Sequence, residues 1–403
     1  MQELTLQHIK DAKENIKGVA KRTQLLECSG LSEISKNRVF LKLENLQKTG
    51  SFKIRGAYNK ICHLTEEEKK CGVIASSAGN HAQGVALGAK AQGIDATIVM
   101  PANAPLAKVK ATKSYGANVV LHGNVYDDAY AKAVEIQKET GATFLHPFDD
   151  VYVAAGQGTI GLEILEDLEE VDVVLVPIGG GGIISGIACA LKELKPSVKV
   201  IGVEAASAPS MKRAVENKGS LLIDSKPTIA DGIGVRKVGD FTYKCVEKYV
   251  DEIVTVEEEE IAQAILFLIE KDKVIAEGAG AVCVAALLNN KIKEEGKNVV
   301  SVVSGGNIDV NLMDRIIDKA LMKEGRRFYL NTIIPDKSGE LVKLIDVISK
   351  LKANIFSINQ TNLRAEVHLG YQSVELVLES FGQDHMDEIV QELKTHGYEV
   401  SIG

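Results

Sequence analysis

Four short segments of this 403-residue chain carry reactive or ligand-holding side chains among small residues. The first is Leu43-Glu44-Asn45-Leu46-Gln47-Lys48-Thr49-Gly50-Ser51-Phe52-Lys53-Ile54-Arg55-Gly56, with a lysine between Gly-Ser-Phe and an apolar residue. A lysine drawn partly out of water has a lowered pKa and becomes a nucleophile. The alternative for Lys53 is a solvated lysine at a helix start. The second segment, Ala75-Ser76-Ser77-Ala78-Gly79-Asn80-His81, follows an apolar run and precedes an Ala-rich helical pattern. Small residues let a ligand approach the backbone, and a helix N-terminus offers N–H groups to a carboxylate or phosphate. An ordinary strand-to-helix turn capped by Ser or Asn fits the same residues. The third segment, Val176-Pro177-Ile178-Gly179-Gly180-Gly181-Gly182-Ile183-Ile184-Ser185-Gly186, reads as a strand, a tetraglycine loop and a helix. Such a loop can cradle a phosphate in backbone N–H groups. It is not GxxxxGK[ST], which argues against a nucleoside triphosphatase. In the fourth, Val302-Val303-Ser304-Gly305-Gly306-Asn307, Ser304 falls at the C-terminal end of a strand, where open α/β sheets place ligands.

The segments around these residues alternate between strand-like and helix-like patterns. Val73–Ala75, Ala96–Met100, Asn118–Leu121, Val173–Ile178 and Lys199–Val203 read as strands. Helical patterns lie between them at His81–Gln92, Pro105–Tyr115, Tyr126–Thr140, Gly158–Leu168 and Ile183–Leu194. Alternation of this kind predicts βαβ units and a parallel sheet covered on both faces. Thr255 with Glu258 has capping-box spacing. The pattern changes near Gly325, after a charged stretch, Lys319–Arg327, that reads as a linker. Beyond it come strand-like Phe328–Ile334, helical Leu341–Leu351, strand-like Asn354–Gln360 and Tyr371–Leu378, helical Asp384–Lys394 and strand-like Tyr398–Ile402. That order, β-α-β-β-α-β, is ferredoxin-like.

Composition narrows the function classes. At about 150 residues per domain, the length suggests two to three domains. With 45% hydrophobic residues and a net charge of −8, the chain is too apolar and too weakly charged for disorder to dominate. The acidic balance and the lack of a basic run with interleaved aromatics argue against nucleic acid as a partner. Six scattered cysteines form no CxxC and read as buried thiols in a reducing compartment. The histidines show no HExxH spacing. The charged N-terminal residues, from Glu3 to Lys13, predict no signal peptide. Val173–Leu191 is uncharged and long enough to suggest a membrane span, but Pro177 and four glycines break it, so no membrane segment is expected.

One lysine, two glycine-lined helix starts and a strand-end serine are explained together by one resemblance. SFKIRGA, SSAGNHAQG and the GGGG loop, in this order, resemble the threonine dehydratase (threonine ammonia-lyase) family of fold-type II pyridoxal-phosphate enzymes. The resemblance covers the whole chain. It implies a two-lobed α/β catalytic part, residues 1–325, of the tryptophan synthase β-like kind, with a small lobe at about 46–147 inserted in the large one. It also implies an ACT-type regulatory domain over residues 326–403.

Residue by residue, Lys53 is similar to the family's cofactor-bearing lysine, which also removes the substrate's Cα proton. Phe52 looks like the residue packed beside the pyridine ring. Asn80 looks like the partner of the phenolic oxygen. Gly179, Gly180, Gly181 and Gly182 look like the phosphate cup, and Ser304 like the partner of the pyridine nitrogen. Ser77, Ala78, Gly79, Asn80 and His81 resemble the loop that grips the substrate carboxylate. In the tail, Asp336, Ser338, Gly339, Glu340 and Leu341 look like an effector-binding loop, and Asn354 and Ile355 like the strand start that faces it. Glu204, Ala208 and Ser210 fall where racemase-like relatives hold a divalent cation. Here one carboxylate suits at most a monovalent or weakly held ion, and a helix-capping role for Glu204 is the alternative.

The expected activity is elimination of water from L-threonine, giving 2-oxobutanoate and ammonia, with L-serine as a second substrate. A serine at position 304 cannot hold the ring nitrogen protonated as an aspartate would, which favours prompt loss of a β-substituent. Serine racemase is the nearest alternative. It carries a serine at the position of Ala78 as its second proton donor, so Ala78 disfavours it. A non-catalytic amino-acid sensor is the other. The resemblance further implies isoleucine or valine as effector, a homotetramer and a cytoplasmic location.

Overall fold

The computed structural model describes residues 3–365 and 367–403. It divides into two compact units, Met1–Val310 and Asn311–Gly403.

The first unit holds two sheets. The larger has six strands in the order Leu25–Glu27, Arg38–Leu43, Asn298–Val303, Val173–Pro177, Lys199–Ala205 and Glu252–Val256. All pair in parallel except Leu25–Glu27, which runs antiparallel to its neighbour. The smaller sheet is parallel throughout, in the order Asn118–Leu121, Ala96–Met100, Val73–Ser76 and Thr143–Phe144. Its strands fall inside the span expected for the small lobe. The uncharged stretch at 173–191 is a buried strand, a glycine loop and the helix Gly182–Leu194. No helix among the described residues is long and apolar enough to cross a membrane.

Three helix crossings set the spacing inside this unit, and glycine makes each of them possible. Helix Lys53–Cys62 lies against helix Val151–Asp167, where a Cβ on Gly156 would sit 2.4 Å from the Arg55 carbonyl oxygen. Helix Val151–Asp167 lies against helix Gly182–Leu194, where a Cβ on Gly186 would sit 2.1 Å from the Ala154 carbonyl oxygen. Helix Asn80–Ala91 meets the backbone of Lys53 through Gly84, at 3.0 Å by the same measure. These same glycines weaken the helical pattern. Helix Val151–Asp167 therefore begins well before the expected Gly158, capped by Asp150, whose side chain accepts from the Tyr152 and Val153 amides.

Other expectations need correction. Thr255 lies in the strand Glu252–Val256; the box at the next helix is formed instead by Glu257 and Glu260, whose carboxylate accepts the Glu257 amide at 2.8 Å. Of the cysteines, Cys71 is exposed and Cys62 half-buried, while the other four are buried.

The second unit begins earlier than Gly325. Of the stretch expected as a linker, residues 319–323 are the end of helix Val310–Lys323, which buries Ile316 and Ala320, and Arg327 opens a strand and pairs with Asp318 of that helix. The four-stranded sheet that follows is antiparallel, in the order Asn354–Thr361, Tyr371–Glu379, Arg327–Pro335 and Val400–Ile402. With helices Glu340–Lys350 and Gln383–Thr395 this is the ferredoxin-like arrangement. Phe328, Leu330, Leu344, Ile348, Leu376 and Ile389 form its core.

Candidate active site

A cavity of about 990 Å³ in the first unit is lined by Phe52, Lys53, Ser77, Ala78, Gly79, Asn80, His81, Gly179, Gly180, Gly181, Gly182 and Ser304. Three of these groups follow the C-terminal ends of parallel strands, Val73–Ser76, Val173–Pro177 and Asn298–Val303. Four helices also begin at the cavity wall, with first residues Lys53, Asn80 and Gly182 and the N-cap Glu277. Helix N-termini carry partial positive charge and unpaired N–H groups, so the wall is built for anions.

Lys53 opens its helix, and its Nζ donates to the Pro147 carbonyl oxygen at 3.0 Å. The ammonium lies 5.1 Å from the centre of the Phe52 ring. Desolvation pulls its pKa down to about 8, against an opposing pull from Glu277. An amine in that range has a substantial neutral fraction near neutral pH, as a nucleophile or proton acceptor requires.

The loop Ser77–Gly79 leads into helix Asn80–Ala91, and the Gly79 amide donates to Ser77 Oγ at 3.2 Å. Asn80 Nδ2 donates to Glu277 Oε1 at 2.6 Å, and Asn80 Oδ1 accepts from Asn307 Nδ2 at 2.8 Å. His81 is buried, with Nε2 2.8 Å from the Leu145 carbonyl oxygen. A carbonyl only accepts, so Nε2 carries the hydrogen. Burial pushes its pKa down to about 3, which keeps the ring neutral.

The tetraglycine loop is pressed between neighbours. A Cβ on Gly180 would lie 2.3 Å from the Phe148 ring, and one on Gly179 would lie 2.9 Å from Ile233 Cα. Gly181 has φ +96°, a left-handed conformation that favours glycine. Ser304 is buried, with Oγ donating to the Ala279 carbonyl oxygen at 3.3 Å.

One expected grouping does not form. Glu204 is buried, with its two carboxylate oxygens accepting the Met211 and Lys212 amides at 2.7 and 2.9 Å. Ser210 donates to the Val235 carbonyl oxygen. Glu204 therefore caps helix Ser210–Glu216, and this donor set does not fit a cation. No cluster of three or more His, Cys, Asp or Glu suited to a metal occurs among the described residues. In the tail, Asp336–Leu341 follows Pro335, which pairs with Tyr371, whereas Asn354 pairs with Glu379, level with Arg327. Eight ladder steps of about 3.4 Å separate the two positions. Within one chain these effector candidates lie at opposite ends of the sheet.

Some residues at the cavity were not anticipated. Glu277 lines it, buried, with its pKa raised to about 7, first by desolvation and then by Asp231. Its signal was a lone glutamate before Gly-Ala-Gly-Ala, the same small-residue helix start seen at Asn80. Lys108 and Asp231, also in the wall, pair at 2.9 Å. His146 accepts the Asp149 amide at 2.8 Å. Nothing in the local sequence of these three points to the cavity, because each gets there through tertiary structure.

Comparison with known proteins adds to this geometry. The family described as "Pyridoxal-phosphate dependent enzyme" matches residues 16–305. The chain is 55% identical over 399 residues to a protein from Thermotoga maritima named L-threonine ammonia-lyase, covering 99% of each chain. Among solved structures it is similar to the processed form of threonine deaminase isoform 2 from Solanum lycopersicum. That likeness has a TM-score of 0.75 and 36% identity, and spans 78% of this chain and 92% of the other. Maize serine racemase gives the same TM-score at 35% identity, over 80% and 100% of the two chains.

Proposed function

The chain belongs to the pyridoxal-phosphate dependent enzyme family, and from that premise we propose that it is a threonine ammonia-lyase. It deaminates L-threonine to 2-oxobutanoate and ammonia with pyridoxal 5'-phosphate as cofactor. The observation that carries this reading is the convergence of Lys53, Ser77–His81, Gly179–Gly182 and Ser304 on one cavity.

The residues present suit the cofactor. Lys53 offers an amine of lowered pKa to its aldehyde. The tetraglycine loop and the first amides of helix Gly182–Leu194 would hold its phosphate. Ser304 would meet the ring nitrogen, Asn80 the phenolic oxygen, and Phe52 the ring. Ser76 Oγ, in the same wall, is buried without a hydrogen-bond partner and is open to a ligand. The volume suits a cofactor together with a small amino acid.

When bound, pyridoxal phosphate supplies the electron sink that makes the substrate's Cα–H acidic. The protein's own groups bind the substrate, orient it and move its Cα proton. The N-terminus of helix Asn80–Ala91 receives the substrate carboxylate, which fixes the amino acid relative to Lys53. The Lys53 amine takes the proton from Cα. Ala78 offers only a methyl group, so no second proton donor stands at that position and D-serine should not accumulate.

We assign the tail an ACT-type regulatory role. Because Asp336–Leu341 and Asn354–Ile355 lie at opposite ends of one sheet, an effector such as isoleucine or valine would be held where the loop of one copy faces the strand start of another. This fits a homo-oligomer, for which the family suggests a tetramer; the free thiols are what agrees with a cytoplasmic enzyme.

The direct test is 2-oxo acid release from L-threonine and from L-serine, with chiral analysis for D-serine and with and without isoleucine. Rapid 2-oxobutanoate is the expected result, and its suppression by isoleucine would assign a biosynthetic role. D-serine without 2-oxo acid would overturn the lyase reading. A second measurement concerns uptake of the cofactor. Only the neutral amine can capture the aldehyde. Uptake by the cofactor-free chain, followed by absorbance, should rise with pH through about 8 rather than near the ordinary lysine value. A midpoint above pH 10 would show that the lysine is not desolvated.

A further inference from the structure

The main chain identifies which atom of the Asn80 amide is which, and two side chains hold the amide that way round. A carbonyl oxygen can only accept, so the Asn307 atom 2.7 Å from the Thr49 carbonyl oxygen is Nδ2. The same Nδ2 donates to Asn80 Oδ1 at 2.8 Å. The other end of Asn80 is therefore Nδ2, and it donates to Glu277 Oε1 at 2.6 Å. We propose that Glu277 is a positioning residue: it accepts from Asn80 Nδ2 and, with Asn307 at the other end of the amide, locks Asn80 in one of its two orientations, fixing which atom Asn80 presents to the cavity. The proposal rests on reading this cavity as the lyase site, and it gives Asn80 a partner that the reading lacked.

Two glycines make room for the relay. A Cβ on Gly305 would lie 2.2 Å from Glu277 Oε1, and one on Gly50 would lie 2.2 Å from Asn307 Oδ1. The Glu277 main chain is itself fixed, since its amide donates to the Gly305 carbonyl oxygen at 3.1 Å and it holds the N-cap position of helix Gly278–Leu288. An ionised carboxylate suits the task because it only accepts. A flipped Asn80 would set oxygen against oxygen at Glu277 and N–H against N–H at Asn307. A protonated carboxyl can donate, and the first of those two penalties is then relieved. The charged groups acting on Glu277 are Asp231, which favours its protonation, and Lys108 and Lys53, which oppose it. With its pKa near 7, the lock should tighten as pH rises through neutrality.

The test compares the holoenzyme with its Glu277→Gln, Glu277→Ala, Asn80→Ala and Glu277→Ala/Asn80→Ala variants. It reads kcat and KM for threonine and the absorbance of bound cofactor from pH 6 to 8.5. Glu277→Ala should lower kcat about tenfold or more with KM nearly unchanged. Glu277→Gln, whose amide oxygen still accepts, should lose about threefold and abolish the spectral step near pH 7. The double variant should be no slower than Asn80→Ala alone, because two residues acting through one contact are not additive. Independent, multiplying effects would overturn the proposal. So would a Glu277→Gln spectrum that keeps the wild-type pH step, a result that stands even if Glu277→Ala fails to fold. If no 2-oxo acid forms from threonine or serine, the lyase reading fails, while the spectral step still decides the role of Glu277.

Discussion

Replacing Lys53 with alanine should lower the rate of 2-oxobutanoate release by about a thousandfold or more. The same change should remove the absorbance band of cofactor held by an amine. The lysine has two tasks, attachment and proton transfer, and it opens a helix on the cavity wall with its amine desolvated and its pKa lowered to about 8. Stability should change little, because the side chain makes a single hydrogen bond, to Pro147, and lines a cavity rather than filling a core. A thermal melt close to wild type, together with lost turnover, is the expected pair of results. An alanine variant with near-normal turnover would return Lys53 to the alternative of a solvated helix-start lysine.

The largest effect on stability is expected two residues further on. Arg55 is fully buried. Its Nε and Nη2 donate to Glu44 at 2.9 and 2.8 Å, and its Nη1 and Nη2 donate to Glu163 at 2.7 and 2.9 Å. Thr159 Oγ1 and the Lys21 carbonyl oxygen accept from it at 3.0 Å each. Lys42, also buried, pairs with Glu163 at 2.7 Å. The four charges balance. Arg55→Ala leaves two buried carboxylates facing one ammonium, and breaking such a cluster costs about 3–5 kcal/mol. Arg55→Lys should recover only part of this, since an ammonium cannot serve both carboxylates in a fork. Urea unfolding of the three proteins reads the difference directly. A midpoint for Arg55→Ala equal to wild type would show that the cluster adds nothing to the fold. Because Arg55 shares the first turn of its helix with Lys53, the alanine variant should also lose activity at temperatures where it remains folded.

The parts of the site that were legible in the sequence share one form: an apolar strand, a few small residues, then a helix. Ser77–His81, Gly179–Gly182 and Ser304 were visible because local backbone geometry dictates their residue types. Arg55 stood in plain view within SFKIRGA, yet its partners Glu44 and Glu163 come from a separate turn and a separate helix, and no local pattern joins them. Glu277 reads locally as a helix cap. It becomes part of the site only because Asn80, 197 positions away in sequence, reaches it. In the tail, element types and order were legible from periodicity. The distance between the effector candidates was not legible, because strand register, which sets Asn354 level with Arg327 instead of Pro335, is a property of pairing and not of either strand alone. The boundary moved from Gly325 to Val310 for a related reason: the charged face of helix Val310–Lys323 looks like linker until Ile316 and Ala320 are seen to be buried.

The glycine crossings have a consequence for how this enzyme could change. Between the helix that starts at Lys53 and the helix that starts at Gly182, the intervening helix meets each neighbour at main-chain contact distance. The crossings act as a ruler graduated in atomic radii, and at these points it has no side chain that could be lengthened or shortened. The floor of the cavity is therefore available in one size. Its rim, formed by residues such as Val125, Tyr126 and Leu222, is made of exposed side chains that can be exchanged freely. Altered substrate preference should arise at the rim, while the floor keeps the same chemistry.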